Sequence, residues 1–172
     1  RCVDPSSVDS NFGSANKHFF SKVNVSNNNI FRIRGEEKPE IEASNYTELL
    51  KTKTETIKNI PSLDLCLLGI GGDGHTASIF PHELKKLSDK SDCVVGINPD
   101  SGQKRVSLSI KQINNSKEVI FHVCGSGKKD VVDMIISKRE NYLDLPASHI
   151  LPNSKNLSWY LDFDSAETFM GT

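Results

Sequence analysis

Leu63-Asp64-Leu65-Cys66-Leu67-Leu68 runs directly into Gly69-Ile70-Gly71-Gly72-Asp73-Gly74-His75-Thr76, and this junction decides the fold. The first half is nearly continuous in apolar residues, the pattern of a parallel strand covered on both faces. The second half holds four glycines within six positions. Glycines there let the backbone turn sharply and approach a ligand closely. A carboxylate and an imidazole in such a turn stand at a crevice and not in a core. The plainer alternative is a tight connection in which Asp73 and His75 are merely solvated.

The same pattern returns further along. Glu118 to Val123 is a second buried-type strand, running into Gly125-Ser126-Gly127-Lys128 and then a helix carrying Val131, Val132, Met134, Ile135 and Ile136. Strand, glycine turn and helix in succession argue for an α/β fold. We expect an open, mostly parallel sheet with helices on both faces and a ligand crevice beyond the strand C-termini. Shorter strands are expected at Cys93 to Ile97, Arg105 to Ile110 and Leu157 to Leu161, with an extended stretch at Ile30 to Ile33. Asp9 or Ser10 can cap a short helix with Phe12, Ala15, Phe19 and Phe20 on one face. A second helix should span Pro39 to about Ile57, acidic at its start and basic towards its end. No internal repeat or linker divides the sequence, so residues 1–172 read as a single α/β domain.

Composition removes whole classes of function. With 21 basic and 22 acidic residues the formal net charge is -1, which gives no support for a nucleic-acid partner. No apolar run reaches the length of a membrane span, so no membrane partner is expected either. Cys2, Cys66, Cys93 and Cys124 lack CxxC spacing and make neither a disulfide framework nor a zinc site. Cys66 and Cys124, inside apolar runs, read as buried small hydrophobes. A reducing cytoplasm fits this usage.

Nucleotide binding fails on register. Neither glycine turn matches G-x-G-x-x-G, and no GK[ST] follows either. Lys128 stands at an expected helix N-terminus, where backbone N–H groups and the dipole favour an anion. Its plain alternative is an ordinary helix start with a solvated lysine.

The run from Gly69 to Pro81 closely resembles the signature of the 6-phosphogluconolactonases, which share a fold with glucosamine-6-phosphate isomerase/deaminases. The resemblance continues in order along nearly the whole chain. Arg1-Cys2-Val3 with Ser10-Asn11 looks like the end of that family's Asp-Glu-Arg segment and its Ser-Asn pair. Arg105-Val106-Ser107-Leu108 looks like its Arg-Ile-Thr-Leu strand, although the family's preceding prolines are missing. Gly125 to Lys128 looks like its Gly-x-x-Lys turn, and Trp159 with Asp162 like its closing Trp-x-x-Asp. After His75 the deaminase branch has an Asn-Glu-Pro segment, and Thr76-Ala77-Ser78 here supplies no such glutamate. The resemblance also implies an opening strand, helix and Ser-Gly-Gly turn ahead of Arg1, so the chain reads as N-terminally incomplete. His82 stands where the family often has glycine and reads as a rim residue.

This resemblance implies hydrolysis of 6-phospho-D-glucono-1,5-lactone, in the oxidative pentose phosphate pathway, with His75 as general base. A neutral imidazole suits removal of a proton from water. Asp73 either orients the imidazole or binds a sugar hydroxyl. Backbone N–H groups of Gly71, Gly72, Gly74 and Thr76 are expected around the substrate as oxyanion donors. Arg1, Asn11, Arg105 and Lys128 are implied on the phosphate and sugar. No metal or cofactor is required, since an activated ester needs no Lewis acid. The other histidines, His18, His122 and His149, read as structural. Glucose-6-phosphate dehydrogenase, fused or separate, is the implied partner. The alternatives are an amino-sugar-phosphate isomerase/deaminase and a sugar-phosphate-binding module without turnover.

Overall fold

Caps and charge place the first helices. In the computed structural model, which describes residues 1–87 and 91–170, Ser10 accepts a hydrogen bond from the Gly13 N–H at 2.9 Å and starts α1 (Asn11–His18). Pro39 opens α2 (Pro39–Lys53), with Glu40 and Glu42 in its first turn and Lys51 and Lys53 in its last. Both ends complement the helix dipole. The expected continuation to Ile57 does not form. Thr54 turns extended, and its hydroxyl donates to the Leu50 carbonyl. Glu55–Ile57 (β1) then folds back on Ile60–Ser62 (β2). Lys58 and Asn59 make the turn, both at positive φ, as the tightest hairpins require. Ile30 to Ile33 is extended as expected but joins no strand. The Tyr46 hydroxyl holds it by donating to the Phe31 carbonyl at 2.9 Å.

The apolar run before the glycine turn gives β3 (Cys66–Leu68). After it come the short α3 (Leu84–Leu87) and a hairpin of β4 (Cys93–Ile97) with β5 (Lys104–Leu108). The strand expected to reach Ile110 stops at Leu108. Ser109 then caps α4 (Ile110–Asn114) by accepting the Gln112 N–H at 3.1 Å. Next are β6 (Val119–Val123), α5 (Lys129–Ile136) and β7 (Leu157–Leu161). Strands β3, β6 and β7 form a parallel sheet in that order. This is the α/β arrangement with a parallel sheet that the strand–turn–helix repetition implied.

Alternation along the strands builds the core. Cys66, Leu68, Val119, Phe121 and Val123 point to one face, where Val131, Val132 and Ile135 of α5 cover them. Phe121 is fully buried, and Trp159 stacks on it with ring centroids 4.1 Å apart. Burying one such side chain contributes about 1.5–3 kcal/mol. A second cluster joins Ala43 and Leu50 of α2 to Cys93 and Val106 of the β4–β5 hairpin.

Two expectations need correction. Leu65 and Leu67 are 46% and 66% exposed, so the apolar run at 63–68 is covered on one face within this chain. Cys124 is exposed, because it follows β6 on the uncovered side of the alternation, whereas Cys66 is buried as expected. No helix among the described residues is long and apolar enough to cross a membrane.

Candidate active site

Because β3 and β6 are adjacent and parallel, the turns that follow them lie at the same end of the sheet. The two turns adjoin: the nearest atom to a side chain built at Gly72 would be the Gly127 carbonyl oxygen, 3.7 Å away. The first turn is tied by its own backbone. The Gly71 N–H donates to the His75 carbonyl at 2.8 Å, and the Gly74 N–H to the Gly71 carbonyl at 3.0 Å. Gly74 takes φ +81° directly against Leu145, a conformation and a closeness that only glycine accommodates. The Thr76 hydroxyl, fully buried, donates to the Gly69 carbonyl at 2.9 Å. Gly71, Gly74 and Thr76 thus give these donors to the turn itself.

The knot of hydrogen bonds presents one pair outward. Asp73 Oδ1 accepts the His75 backbone N–H at 3.1 Å and lies 2.6 Å from His75 Nδ1. Partial burial pushes the Asp73 carboxyl up, but the hydrogen bonds from the His75 backbone and ring outweigh it and hold it below its ordinary value. An ionised carboxylate only accepts, so Nδ1 carries a proton, and in the neutral imidazole the lone pair is then on Nε2. Asp73 therefore fixes which nitrogen of the ring faces the turn.

The sign of the pH effect follows from that lowered carboxyl. The stability it contributes is complete well above the ordinary aspartate value of about 3.9 and is lost as pH falls below it. Thermal melting of the wild type and Asp73→Asn should therefore differ near neutral pH and converge in acid. A gap that persists unchanged to the acid end would remove the charged pairing.

Beyond His75 opens a cleft of about 730 Å³, a volume suited to a small ligand. Arg1, Asn11, His75 and Arg105 line it, with Phe12 and Phe31 further along its wall. Arg1 is held by Asp9 at 3.1 Å. Arg105 reaches the site from β5, and its Nε is buried with no hydrogen-bond partner. Burial first, then the charge of Arg1, pulls the Arg105 guanidinium below its ordinary value. Two neighbouring cations, one with an unpartnered donor, favour an anion between them.

Ser107, two residues on from Arg105 and so on the same face of β5, accepts the Ser78 N–H at 3.0 Å. This bond ties the hairpin to the signature turn, where Ala77 sits at φ +50°. Holding a non-glycine residue there costs on the order of 1 kcal/mol or more, which the surrounding contacts must offset.

The remaining expected residues lie apart from the cleft wall. Gly72 and Asp73 are exposed at the turn's tip, and Lys128 is half-buried at the end of the Ser126–Lys128 turn. Both Asp162 carboxylate oxygens accept the Gly125 N–H, at 3.1 and 2.9 Å, so a carboxylate already occupies that donor. His18 and His122 are exposed, His82 is exposed beside Glu83, and His149 Nε2 meets the Leu143 carbonyl at 2.7 Å. Phe80, Ser107 and Leu145, which support the site from behind, were not read as site residues from the sequence. Their signal, an apolar or small residue next to the motif, does not distinguish them from ordinary packing.

Comparison with known proteins identifies the family. A family model described as glucosamine-6-phosphate isomerases/6-phosphogluconolactonase matches residues 1–159. A 6-phosphogluconolactonase of Treponema pallidum is 38% identical over 137 residues, covering 80% of this chain and 57% of that protein. One from Aggregatibacter actinomycetemcomitans is 34% identical over 167 residues, covering 97% and 70%. Among solved structures, a devB protein superposes with a TM-score of 0.91 at 38% identity, covering 98% of this chain and 70% of that one. The chain thus spans between about half and seven-tenths of these relatives' lengths. It belongs to the glucosamine-6-phosphate isomerase/6-phosphogluconolactonase family.

Proposed function

We propose that this chain carries a lactonase site that hydrolyses 6-phospho-D-glucono-1,5-lactone to 6-phosphogluconate. The observation that carries the reading is the His75–Asp73 pair at 2.6 Å, with His75 lining a cleft that also receives Arg1 and Arg105. In this reading Nε2 takes a proton from water as its oxygen bonds to C1. The carbonyl becomes a tetrahedral alkoxide, and the ring C1–O bond then breaks. The imidazolium returns its proton to the departing ring oxygen, leaving acid and alcohol on one open chain. Arg1 and Arg105 neutralise the phosphate, with Asn11 beside them. Gly72, at the exposed tip, keeps its place as a backbone contact. An ester of this reactivity requires no metal.

The branch point within the family is the residue set after His75. Thr76 is buried and bonded to the turn, and no carboxylate follows it before Glu83, which favours hydrolysis over isomerisation with loss of ammonia. The test is to supply freshly generated lactone, subtract spontaneous ring opening, and separately measure ammonia from glucosamine 6-phosphate. Accelerated ring opening without ammonia is expected. Ammonia release would overturn the lactonase reading, and tight product binding without turnover would leave a binding module.

Lys128 is proposed as a phosphate contact reached from the second turn. Lys128→Ala is then expected to raise KM for the phosphorylated lactone about 10- to 150-fold, the equivalent of a charged hydrogen bond of about 1.5–3 kcal/mol. Unphosphorylated gluconolactone should be little affected. Equal losses on both substrates would remove Lys128 from the phosphate site. The reading also implies an upstream dehydrogenase that makes the lactone, fused or separate, and a cytoplasmic setting. The four free cysteines fit such a reducing compartment.

A further inference from the structure

We infer that Phe80 is a positioning residue whose single ring holds both His75 and Arg105, so that base and cation are set against one another. The inference rests on the lactonase reading for its consequence, though the contacts stand without it. Phe80 has no exposed surface. Its ring centroid lies 4.8 Å from that of the His75 imidazole, with the planes at 41°. The Arg105 guanidinium carbon lies 5.5 Å from the same centroid. His82 approaches too, at 6.1 Å and 31°. One buried ring therefore receives three basic side chains from two separate parts of the fold.

What makes this more than packing is what each partner lacks. Arg105 Nε has no hydrogen-bond partner, so no polar contact at that atom fixes the guanidinium. The electron-rich face of an aromatic ring attracts a cation and prefers defined ring-to-plane geometry. His75 is held by Asp73 at Nδ1 alone, which fixes one nitrogen but leaves the ring free to rock about that bond. Phe80 supplies the second restraint. The imidazole becomes cationic only after it has taken the water proton, so the ring face favours the transition state over the resting base. A leucine would fill much of the same volume, but it has no such face and orients neither group.

The experiment uses the full-length protein in four forms: wild type, Phe80→Leu, and Phe80 replaced by 4-fluoro- or 3,4,5-trifluorophenylalanine. Fluorination weakens the ring face while nearly keeping its shape. Phe80→Leu is expected to lower kcat about 10- to 100-fold, the scale of a displaced catalytic group. It should also raise KM for the phosphorylated lactone but not for unphosphorylated gluconolactone. The fluorinated proteins should lose activity in the order of fluorine content, and the His75 ring-proton NMR signals, recorded without substrate, should move in the same order. Fluorinated proteins identical to wild type in both rate and His75 signals would overturn the inference and reduce Phe80 to packing. If the wild type itself shows no lactonase activity, the functional reading fails, and the His75 signals still decide whether Phe80 holds the imidazole.

Discussion

Replacing His75 with alanine is expected to lower the rate of lactone hydrolysis about 10²- to 10⁴-fold, the usual cost of losing a general base. The geometry concentrates that loss in kcat. Of the Asp73–His75 pair only the imidazole lines the cleft, and Asp73 Oδ1 is committed to Nδ1. Phosphate recognition is assigned to Arg1, Arg105 and Lys128, so KM should change little. The fold should be retained, with melting lowered by no more than in Asp73→Asn, since the side chain is partly exposed and the turn is closed by backbone bonds that alanine retains. The comparison variant is His122→Gln. His122 lies exposed on β6, so both its turnover and its melting should match the wild type. Rates measured on fresh lactone settle the point. Turnover near wild type in His75→Ala would take the imidazole out of the chemistry.

Why were the two glycine turns readable in advance while other parts of the fold were not? The strand–glycine turn–helix succession depends on local sequence, and its periodicity survives into the structure almost intact. The β6 strand, the two turns and α5 stand where the apolar runs and glycines put them, while β3 forms over Cys66–Leu68, the second half of its run. The misreadings came where a distant or conformational term decided. Helix propensity past Lys53 was overridden by Thr54 and by a turn that placed Lys58 and Asn59 at positive φ, residues with no glycine to announce it. The exposure of Leu65 and Leu67 depends on what covers the second face of the sheet, which an apolar run cannot specify. Within the site, the motif named His75 and Asp73, and the resemblance supplied their roles. The Gly125 N–H, by contrast, is taken by Asp162, a residue 37 positions away. Long-range partners of that kind leave no spacing to read.

Gly71→Ala is expected to cost nearly as much as removing the histidine itself, although residue 71 carries no reacting atom. A methyl group built there would fall against Nδ1 and Cε1 of His75 and Oδ1 of Asp73. The pair is folded back over the Gly71 backbone, and glycine is required for that closeness and not for its φ, which is not positive. The turn can keep its 2.8 Å bond from the residue 71 N–H to the His75 carbonyl, so the cheapest relief is for the imidazole to swing away into the cleft. Displacing a catalytic group by about 1 Å costs about 10²-fold in rate, and this displacement is larger. Turnover should therefore fall at least that far, with little change in KM and no greater loss of melting temperature than Asp73→Asn shows. The double variant with His75→Ala tests the cause. If Gly71→Ala acts only by moving the imidazole, the double variant loses no more than His75→Ala alone, as expected of residues that act as a unit. Additive losses would show that the methyl group damages the site by another route, and unimpaired turnover in Gly71→Ala would show that the pair does not fold over Gly71 during catalysis.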